Sequence, residues 1–303
     1  MSFRTVDASA SRFLDSLQQI ETRLARAQRE VATGRRIVTP SDGPDSVSAL
    51  LQARADLARL EQTQTNLVRV KSETDGAEQA LQNAVRLFDE VRTLGMSGAS
   101  GVQNELTRER IAGQIGSVLE RLVAIANTSV GNRFVFSGDN DNDLAYSPAD
   151  LEQSPPWGAY QGTAASREAL HPTGVLFKVG MSAQEIFDHP DPGRSVFAAI
   201  ETLRQAMLAN DEDAMKSALA PLAGHAAHLN SALSFYGNVQ SQIAEATDTG
   251  ARLRLRLAAE VSGMEDADIT ESILESQTLM FQREAALRMR SSIQERSLFD
   301  FMG

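Results

Sequence analysis

The 303-residue chain contains no cysteine. That excludes disulfides, thiolate metal sites and a cysteine nucleophile. It leaves the compartment open, because cytosolic and secreted proteins can both lack cysteine. Aromatic residues are scarce at 5% against a hydrophobic content of 42%. Few aromatics with abundant Ala, Leu, Gln and Ser suit long helices better than a thick core. No apolar run approaches the roughly 20 residues a membrane span requires, and no membrane partner is expected. The N-terminus, MSFRTVDASASRFL, has neither an apolar core nor a small-residue cleavage site, so an ordinary cleaved secretory signal is not expected. Positive charge is in the minority. Lys and Arg number 29 against 40 Asp and Glu, for a net charge of -11. A general nucleic-acid binder would carry a basic face, so no nucleic-acid partner is expected. The negative charge instead keeps a free subunit soluble and makes copies repel until apolar seams overcome the repulsion.

Catalytic motifs are missing too. There is no G-x-x-x-x-G-K-[ST] or G-x-G-x-x-G cradle for phosphates and no G-x-S-x-G elbow. Acidic residues are scattered as on a solvated helical face, with no pair singled out. No enzyme activity, cofactor or metal is expected.

What the chain does have is an apolar repeat at each end. Phe13, Leu17, Ile20, Leu24, Ala27 and Val31 follow one another at steps of four and three. Ile273, Met280 and Leu287 recur every seven residues, with Leu279, Ala286 and Ile293 one position ahead. Such stripes ask for a partner helix. The pattern alone leaves open an internal antiparallel coiled coil or a seam between copies.

Between these ends the chain reads as helices, a small β-rich stretch, then helices. The first helix should run from about Ser11 to Thr33 and end at Gly34, suited to the left-handed position after a helix. Pro40, Gly43 and Pro44 mark a loop. Pro44 fits the first turn of a new helix, with Ser41 or Asp42 as its cap. That helix should extend from Asp45 to Leu94, with Leu60, Leu67, Leu81 and Phe88 in one register. A Gly/Ser loop follows, and then a third helix capped by Thr107. From Gly131 to Pro192 prolines and glycines accumulate; Phe134–Phe136 and Val175–Val179 read as strands. Helices resume near Phe197 and near Leu219, and a C-terminal helix is expected from Asp266 to Glu295. Because the flanks could close on each other without it, the β-rich stretch is expected to tolerate deletion.

Two clusters imitate metal sites. Asp139, Asp141, Asp143 and Asp150 have the alternation of a calcium loop, but Leu144 stands where Gly is needed and Asp where Glu is usual. A solvated turn is expected instead. His225 and His228 share a helical face beside the apolar stripe, and two histidines fall short of a metal site. They are expected at the edge of the seam, with His171 and His189 in turns without evident partners.

Several short motifs in fixed order carry a resemblance. Thr33-Gly-Arg-Arg-Ile-Val-Thr-Pro-Ser-Asp-Gly-Pro44, with Gly34, Pro40, Ser41, Asp42 and Pro44 at its centre, resembles the first interhelical loop of the flagellin superfamily. Its Pro-Ser-Asp core is similar to the hook–filament junction type (hook-associated protein 3, FlgL type). Gly131-Asn-Arg-Phe-Val-Phe-Ser-Gly138, Tyr160-Gln-Gly162, Glu185-Ile-Phe187, Ser262-Gly-Met-Glu-Asp-Ala-Asp268 and Ser297-Leu-Phe-Asp-Phe-Met302 are also similar to family segments.

The resemblance implies a mainly α fold with a small β-rich module, an elongated antiparallel long-helix bundle whose terminal helices pair as a coiled coil. It implies terminal helices at 1–40 and 263–303, a long-helix domain at 41–135 and 193–262, and an outer β-rich module at 136–192. It tips the terminal stripes toward an intersubunit seam: Phe13, Leu17, Ile20, Leu24, Val31, Ile273, Met280, Leu287 and Ile293, with Leu298 and Phe299 from the ending. The implied function is a structural axial subunit of the bacterial flagellum, exported without a cleaved signal and located outside the cell. Its implied partners are copies of itself in a ring, a hook-side junction protein, flagellin and an export chaperone. The rivals are a flagellin filament subunit and, from another class, an exported helical adaptor or effector. Val91-Arg92-Thr93-Leu94 departs from the Ile-Arg-Glu-Leu pattern by which flagellins contact an innate receptor, so such recognition is not expected.

Overall fold

The computed structural model describes residues 3–191 and 193–299, with side chains over 11–191 and 193–290. In chain order the elements are α1 (Phe3–Thr33), a 3-10 turn (Pro40–Asp42), α2 (Pro44–Gly98), α3 (Glu105–Ala126), β1 (Ser129–Val130), β2 (Arg133–Phe134), β3 (Glu168–Leu170) and β4 (Leu176–Lys178). They continue with α4 (Ala183–Phe187), α5 (Val196–Leu208), α6 (Glu212–Leu219), α7 (Leu222–Glu265) and α8 (Ile269–Phe299). The fold is mainly α with two small antiparallel sheets. The chain divides into two compact units, 1–59 with 253–303, and 60–252; α2 and α7 contribute to both.

In the first unit α1 and α8 pack on each other. They run antiparallel: Glu30 meets Ser272, Arg23 meets Glu275, Glu21 meets Arg283, and the Arg290 guanidinium lies 5.7 Å from the centre of the Phe13 ring. Its buried apolar residues are few: Leu24, Ala27, Ile37, Leu50, Ala53 and Leu279. Ser272 and Ser276 are buried beside them, so small side chains let the two helices approach.

The second unit holds the main core. Ala77, Leu81, Ala84, Phe88 and Val91 of α2 face Ile115, Leu119 and Leu122 of α3 and Ile200, Leu203 and Tyr236 of α5 and α7. The aromatic centre is Phe197. Phe187 stacks on it at 5.4 Å, Trp157 lies at 5.4 Å and Tyr146 at 5.6 Å. Phe136 contacts Phe187 and Tyr236 edge-on, each at 6.1 Å. Four of these rings, Phe136, Tyr146, Trp157 and Phe187, come from the β-rich stretch. That stretch therefore supplies the core rather than decorating it, which overturns the expectation that it can be deleted. Its few aromatics are concentrated here because large rigid rings bury the most area per residue.

Local chemistry explains the module's turns. Gly131 and Asn132, both at positive φ (58° and 65°), make the two-residue loop of the β1–β2 hairpin, the backbone that a I′ turn requires. A Cβ at Gly138 would lie 2.0 Å from the Thr163 carbonyl oxygen, so only glycine fits. The strand expected over Phe134–Phe136 is shorter, because Val135 donates its N–H to Thr128 and the Phe136 ring is buried in the core.

Several boundaries also differ. α2 runs past the expected glycine stop to Gly98, since an isolated Gly costs a helix only about 1 kcal/mol against Ala. Asn104, not Thr107, caps α3; its Oδ1 accepts from the Thr107 N–H at 2.9 Å and from the Thr107 hydroxyl at 2.8 Å. Leu219 belongs to α6, closed before Pro221, rather than to α7.

Candidate assembly surface and interhelical junction

The seam residues divide into two groups. On α1, Leu24 and Ala27 are buried and Phe13, Leu17 and Ile20 half-buried against α8, while Val31 is exposed. On α8 the face toward α1 is the row one position ahead of the main repeat. Leu279 is buried and Ala286 half-buried, in line with Ser272 and Ser276. Ile273, Met280 and Leu287 do not enter this pair; they are 41%, 46% and 46% exposed. Leu274, Phe281 and Met289 are exposed beside them. The side chains of Ile293, Leu298 and Phe299 lie outside the described residues. Thus α8 uses one row on α1 and leaves a second apolar row uncovered in the isolated chain. Soluble proteins seldom leave contiguous large apolar side chains in water without a partner to cover them.

The loop motif and the entry to α8, more than two hundred residues apart, meet in the first unit. Gly34 takes the left-handed conformation (φ 70°) and donates to the Glu30 carbonyl at 2.8 Å, closing α1. Its own carbonyl accepts from the Ala267 N–H at 3.0 Å. The Glu265 carbonyl accepts from the Arg36 and Ile37 N–H groups at 2.7 and 3.3 Å, and the Arg36 guanidinium donates to the Met264 carbonyl at 3.0 Å.

The Glu265 carboxylate is the centre of the junction. It is 4% exposed and sits between two guanidiniums: Arg35, its Nε 2.7 Å from Oε1, and Arg54, its Nε 3.1 Å from Oε2. One acidic side chain at the end of α7 thereby holds the α1–α2 loop and the first turns of α2. Arg35 and Arg54 are themselves exposed, so the cost would fall on Glu265: left buried with neither guanidinium, its charge would cost several kcal/mol, on the order of 3–5.

Within the loop, Asp42 acts locally. Its Oδ2 accepts from the Thr39 N–H (2.7 Å), the Thr39 hydroxyl (2.9 Å) and the Val38 N–H (3.1 Å). The bonds from Thr39, then that from Val38, hold its carboxyl below the usual carboxylate range. Asp42 does not cap α2, nor does Ser41, which is exposed; α2 starts at Pro44 directly after Gly43. A Cβ at Gly43 would lie 2.9 Å from both Ile37 Cδ1 and Ser46 Oγ, so a larger residue there would push those side-chain ends aside. Pro40 and Pro44 are exposed and act through their fixed φ. Sequence reasoning missed Ile37 and Glu265. Ile37 and the exposed Val38 are the apolar residues of an otherwise polar loop, and Ile37 is the one that is buried. Glu265 lies inside the quoted Ser262–Asp268 motif, but nothing in that motif singled it out.

The imitated calcium loop is spent on other bonds. Asp139 accepts from the Ser166 N–H and hydroxyl, and Asp143 from the Asn140 amide. Asp141 is buried, not solvated. It pairs with Arg133 and lies 3.4 Å from Arg167 Nη1, and both arginines also reach the buried Glu73 of α2. Among the described residues no group of three or more His, Asp or Glu side chains is placed to hold a metal ion. The histidines differ from expectation as well. His225 is buried at 2% exposure, His228 bonds to the Glu185 carbonyl at 3.0 Å, His189 accepts from the Asp191 N–H at 3.0 Å, and His171 meets the Thr173 hydroxyl at 2.7 Å. No described helix is long and apolar enough to cross a membrane.

Comparison with known proteins bears on this geometry. Residues 6–141 match the bacterial flagellin N-terminal helical region, a span that takes in α1, the junction loop, α2, α3 and the β1–β2 hairpin. That match covers under half of the chain, its N-terminal part. Solved structures show the same fold. A protein described as a flagellar hook-associated protein from Vibrio parahaemolyticus superimposes with a TM-score of 0.64 at 19% identity, over 74% of this chain and 100% of its own. A flagellar hook-associated protein-3 from Legionella pneumophila gives 0.61 at 14% identity, over 70% and 98%. FlgL from Xanthomonas campestris gives 0.54 at 14% identity, over 69% and 99%. A search of curated protein sequences returns no match. The two motifs at the junction are one structural unit: the loop closes α1 and docks on the α7–α8 turn.

Proposed function

We propose that this chain is a structural axial subunit of the bacterial flagellum that joins the hook to the flagellin filament, and is not an enzyme. The observation that carries the reading is the uncovered row Ile273, Met280 and Leu287, on a terminal helix that has already used its other row on α1. In a chain with net charge -11, this row gives copies an apolar seam able to overcome mutual repulsion. Phe13, Leu17, Ile20 and Leu24 with Leu279 hold the pair, and Ile273, Met280 and Leu287 meet neighbours. We assign the assembly role to 1–40 and 263–303, the surrounding bundle to 41–135 and 193–262, and the outer face to 136–192. The partners are copies in a ring, a hook-side junction protein, flagellin and an export chaperone, and the chain is exported without signal cleavage.

The likeness to hook-associated structures supports this over a flagellin filament subunit, as do the Pro-Ser-Asp loop and the Leu-Phe-Asp-Phe-Met ending. The test is genetic and biochemical. A strain lacking the chain should make hooks without filaments and shed flagellin into the medium. Purified protein seeded with filament fragments should not elongate them alone. Normal filaments in the deletion strain would overturn the assignment, and seeded growth into long filaments would make the chain a flagellin.

A further inference from the structure

All protonable imidazoles of α7 lie at one end of it, against the module. From Leu222 to Ala244 the helix carries no Asp, Glu, Lys or Arg, so His225 and His228 are the groups there able to gain positive charge. His225 is 2% exposed and its Nδ1 has no hydrogen-bond partner. His228, one turn on, is half-buried, and its Nε2 donates to the Glu185 carbonyl of α4. The His189 ring stands 6.0 Å from the His228 ring at 75°. His189 Nδ1 accepts the Asp191 N–H at 3.0 Å. That bond fixes a neutral ring with its proton on Nε2, because a protonated Nδ1 would point a donor at a donor.

The surrounding charges are committed elsewhere. On the facing segment the Glu185 carboxylate accepts from the Ser182 N–H and lies 3.7 Å from Lys178 Nζ, Asp188 accepts from the Trp157 indole and the Ser195 hydroxyl, and Asp191 faces Arg194. On α5, Glu201 and Arg204 bond each other. Where α7 starts, Arg92 of α2 and Lys216 of α6 line a groove with Leu222 and Ala223, and both are cations paired to acids of their own helices. The tyrosines nearby, Tyr146, Tyr160 and Tyr236, are neutral at any physiological pH, burial pushing all three up, Tyr160 to about 12.

We propose that the seat of residues 182–191 on the start of α7 is a proton-sensitive contact, released when the buried His225 gains charge behind His228 and the Glu185 carbonyl that His228 holds. The rings are crowded, and His225 is buried with an Nδ1 that has no partner for a new proton. Burial first, then the neighbouring His228, holds His225 below the ordinary imidazole value. For a base depressed on folding, the unfolded chain binds the extra proton first. The contact is then at full strength above about pH 6.5 and weakens as pH falls through that value, levelling off below the folded-state pKa. This proposal does not depend on the flagellar assignment, since it concerns the isolated chain.

The test is amide hydrogen exchange of the full chain at pH 7.5 and 5.0, corrected for the intrinsic rate. Peptides covering 182–191 and 222–232 should lose protection at least tenfold at pH 5.0, while peptides from 111–126 in α3 keep theirs. In His225→Leu combined with His228→Gln, whose amide can still donate to Glu185, the pH dependence should vanish. Unchanged protection in the wild type, equal loss in α3, or equal loss in the double variant would each overturn the proposal. Should that variant not fold, titration of the wild-type imidazole protons by NMR decides. Exchange must rise over the same pH interval in which His225 titrates; titration of His225 without local loss of protection would sink it.

Discussion

The two units of this molecule spend their apolar residues in opposite ways. The 60–252 unit buries them: Phe136, Tyr146, Trp157, Phe187 and Tyr236 surround Phe197, and full rows of α2 and α3 are closed off from water. The unit formed by 1–59 and 253–303 buries six large or small apolar side chains and leaves Leu14, Val31, Ile273, Leu274, Met280, Phe281, Leu287 and Met289 exposed among its described residues. It relies on ion pairs instead, with Arg23–Glu275 and Arg283–Glu21 along the helix pair and Arg35–Glu265–Arg54 at its base. Exposed pairs of the first kind contribute about 0–1 kcal/mol each. A unit stabilised that weakly gains most of its order when something covers its apolar row, whereas the other unit is finished on its own.

The sharpest way to test this contrast is to damage the finished unit. Phe197→Ala should cost about 4 kcal/mol, because it empties the centre of the ring cluster, and a urea melt followed by aromatic circular dichroism should show it. A loss under about 1 kcal/mol would mean the core is not built around that ring. A smaller effect is expected from Asp141→Ala, about 2 kcal/mol, since Arg133 and Arg167 keep Glu73 and partial access to water. The same melt repeated in chelator and in millimolar calcium should not move for wild type or variant; a calcium-dependent rise in the wild type would make the aspartate run an ion site after all.

Substitutions on α8 separate its two rows. Leu279→Asp places a charge against α1 and should open the terminal pair, seen as faster proteolysis within 11–33 while the 60–252 unit stays intact. Leu287→Asp should change the melt by under about 0.5 kcal/mol, as exposed substitutions do, yet abolish motility. A Leu287→Asp strain that swims normally would show that the uncovered row is not an assembly seam. The smallest effect on the isolated chain belongs to Asp42→Ala. It should leave the 60–252 melt unchanged and raise cleavage within 34–44. Asp42 has its carboxyl depressed from 3.8 by its bonds to Thr39 and Val38, so its contribution is complete above that value and is lost as pH falls below about 4. The loop should therefore be indifferent between pH 7 and pH 5, the interval in which the histidine contact is expected to change.

Periodicity alone was enough to read the terminal helices, the break at Gly34, the shared register of Leu60, Leu67, Leu81 and Phe88, and the mainly α class, because helical spacing is a local property written every three or four residues. Gly131 marked where the helical pattern ends, but the hairpin turn at Gly131-Asn132 was not read from the sequence; it shows only once Val130 pairs with Arg133. Other features could be decided only in three dimensions. Which α8 row faces α1 depends on the choice between two adjacent apolar repeats, and the small Ser272 and Ser276, not the larger Ile273 and Met280, permit the closer approach. That Asp141 is buried depends on Arg133, Arg167 and Glu73 arriving from three separate segments. His225 passes from the edge of a stripe to the inside of a core because the module folds over it. Glu265 becomes the pin of the junction only when Arg35 and Arg54 are brought to it from more than two hundred residues away. The sequence determined what each segment would be. The fold decided which faces were covered, because burial is a property of partners and not of the residue that is buried.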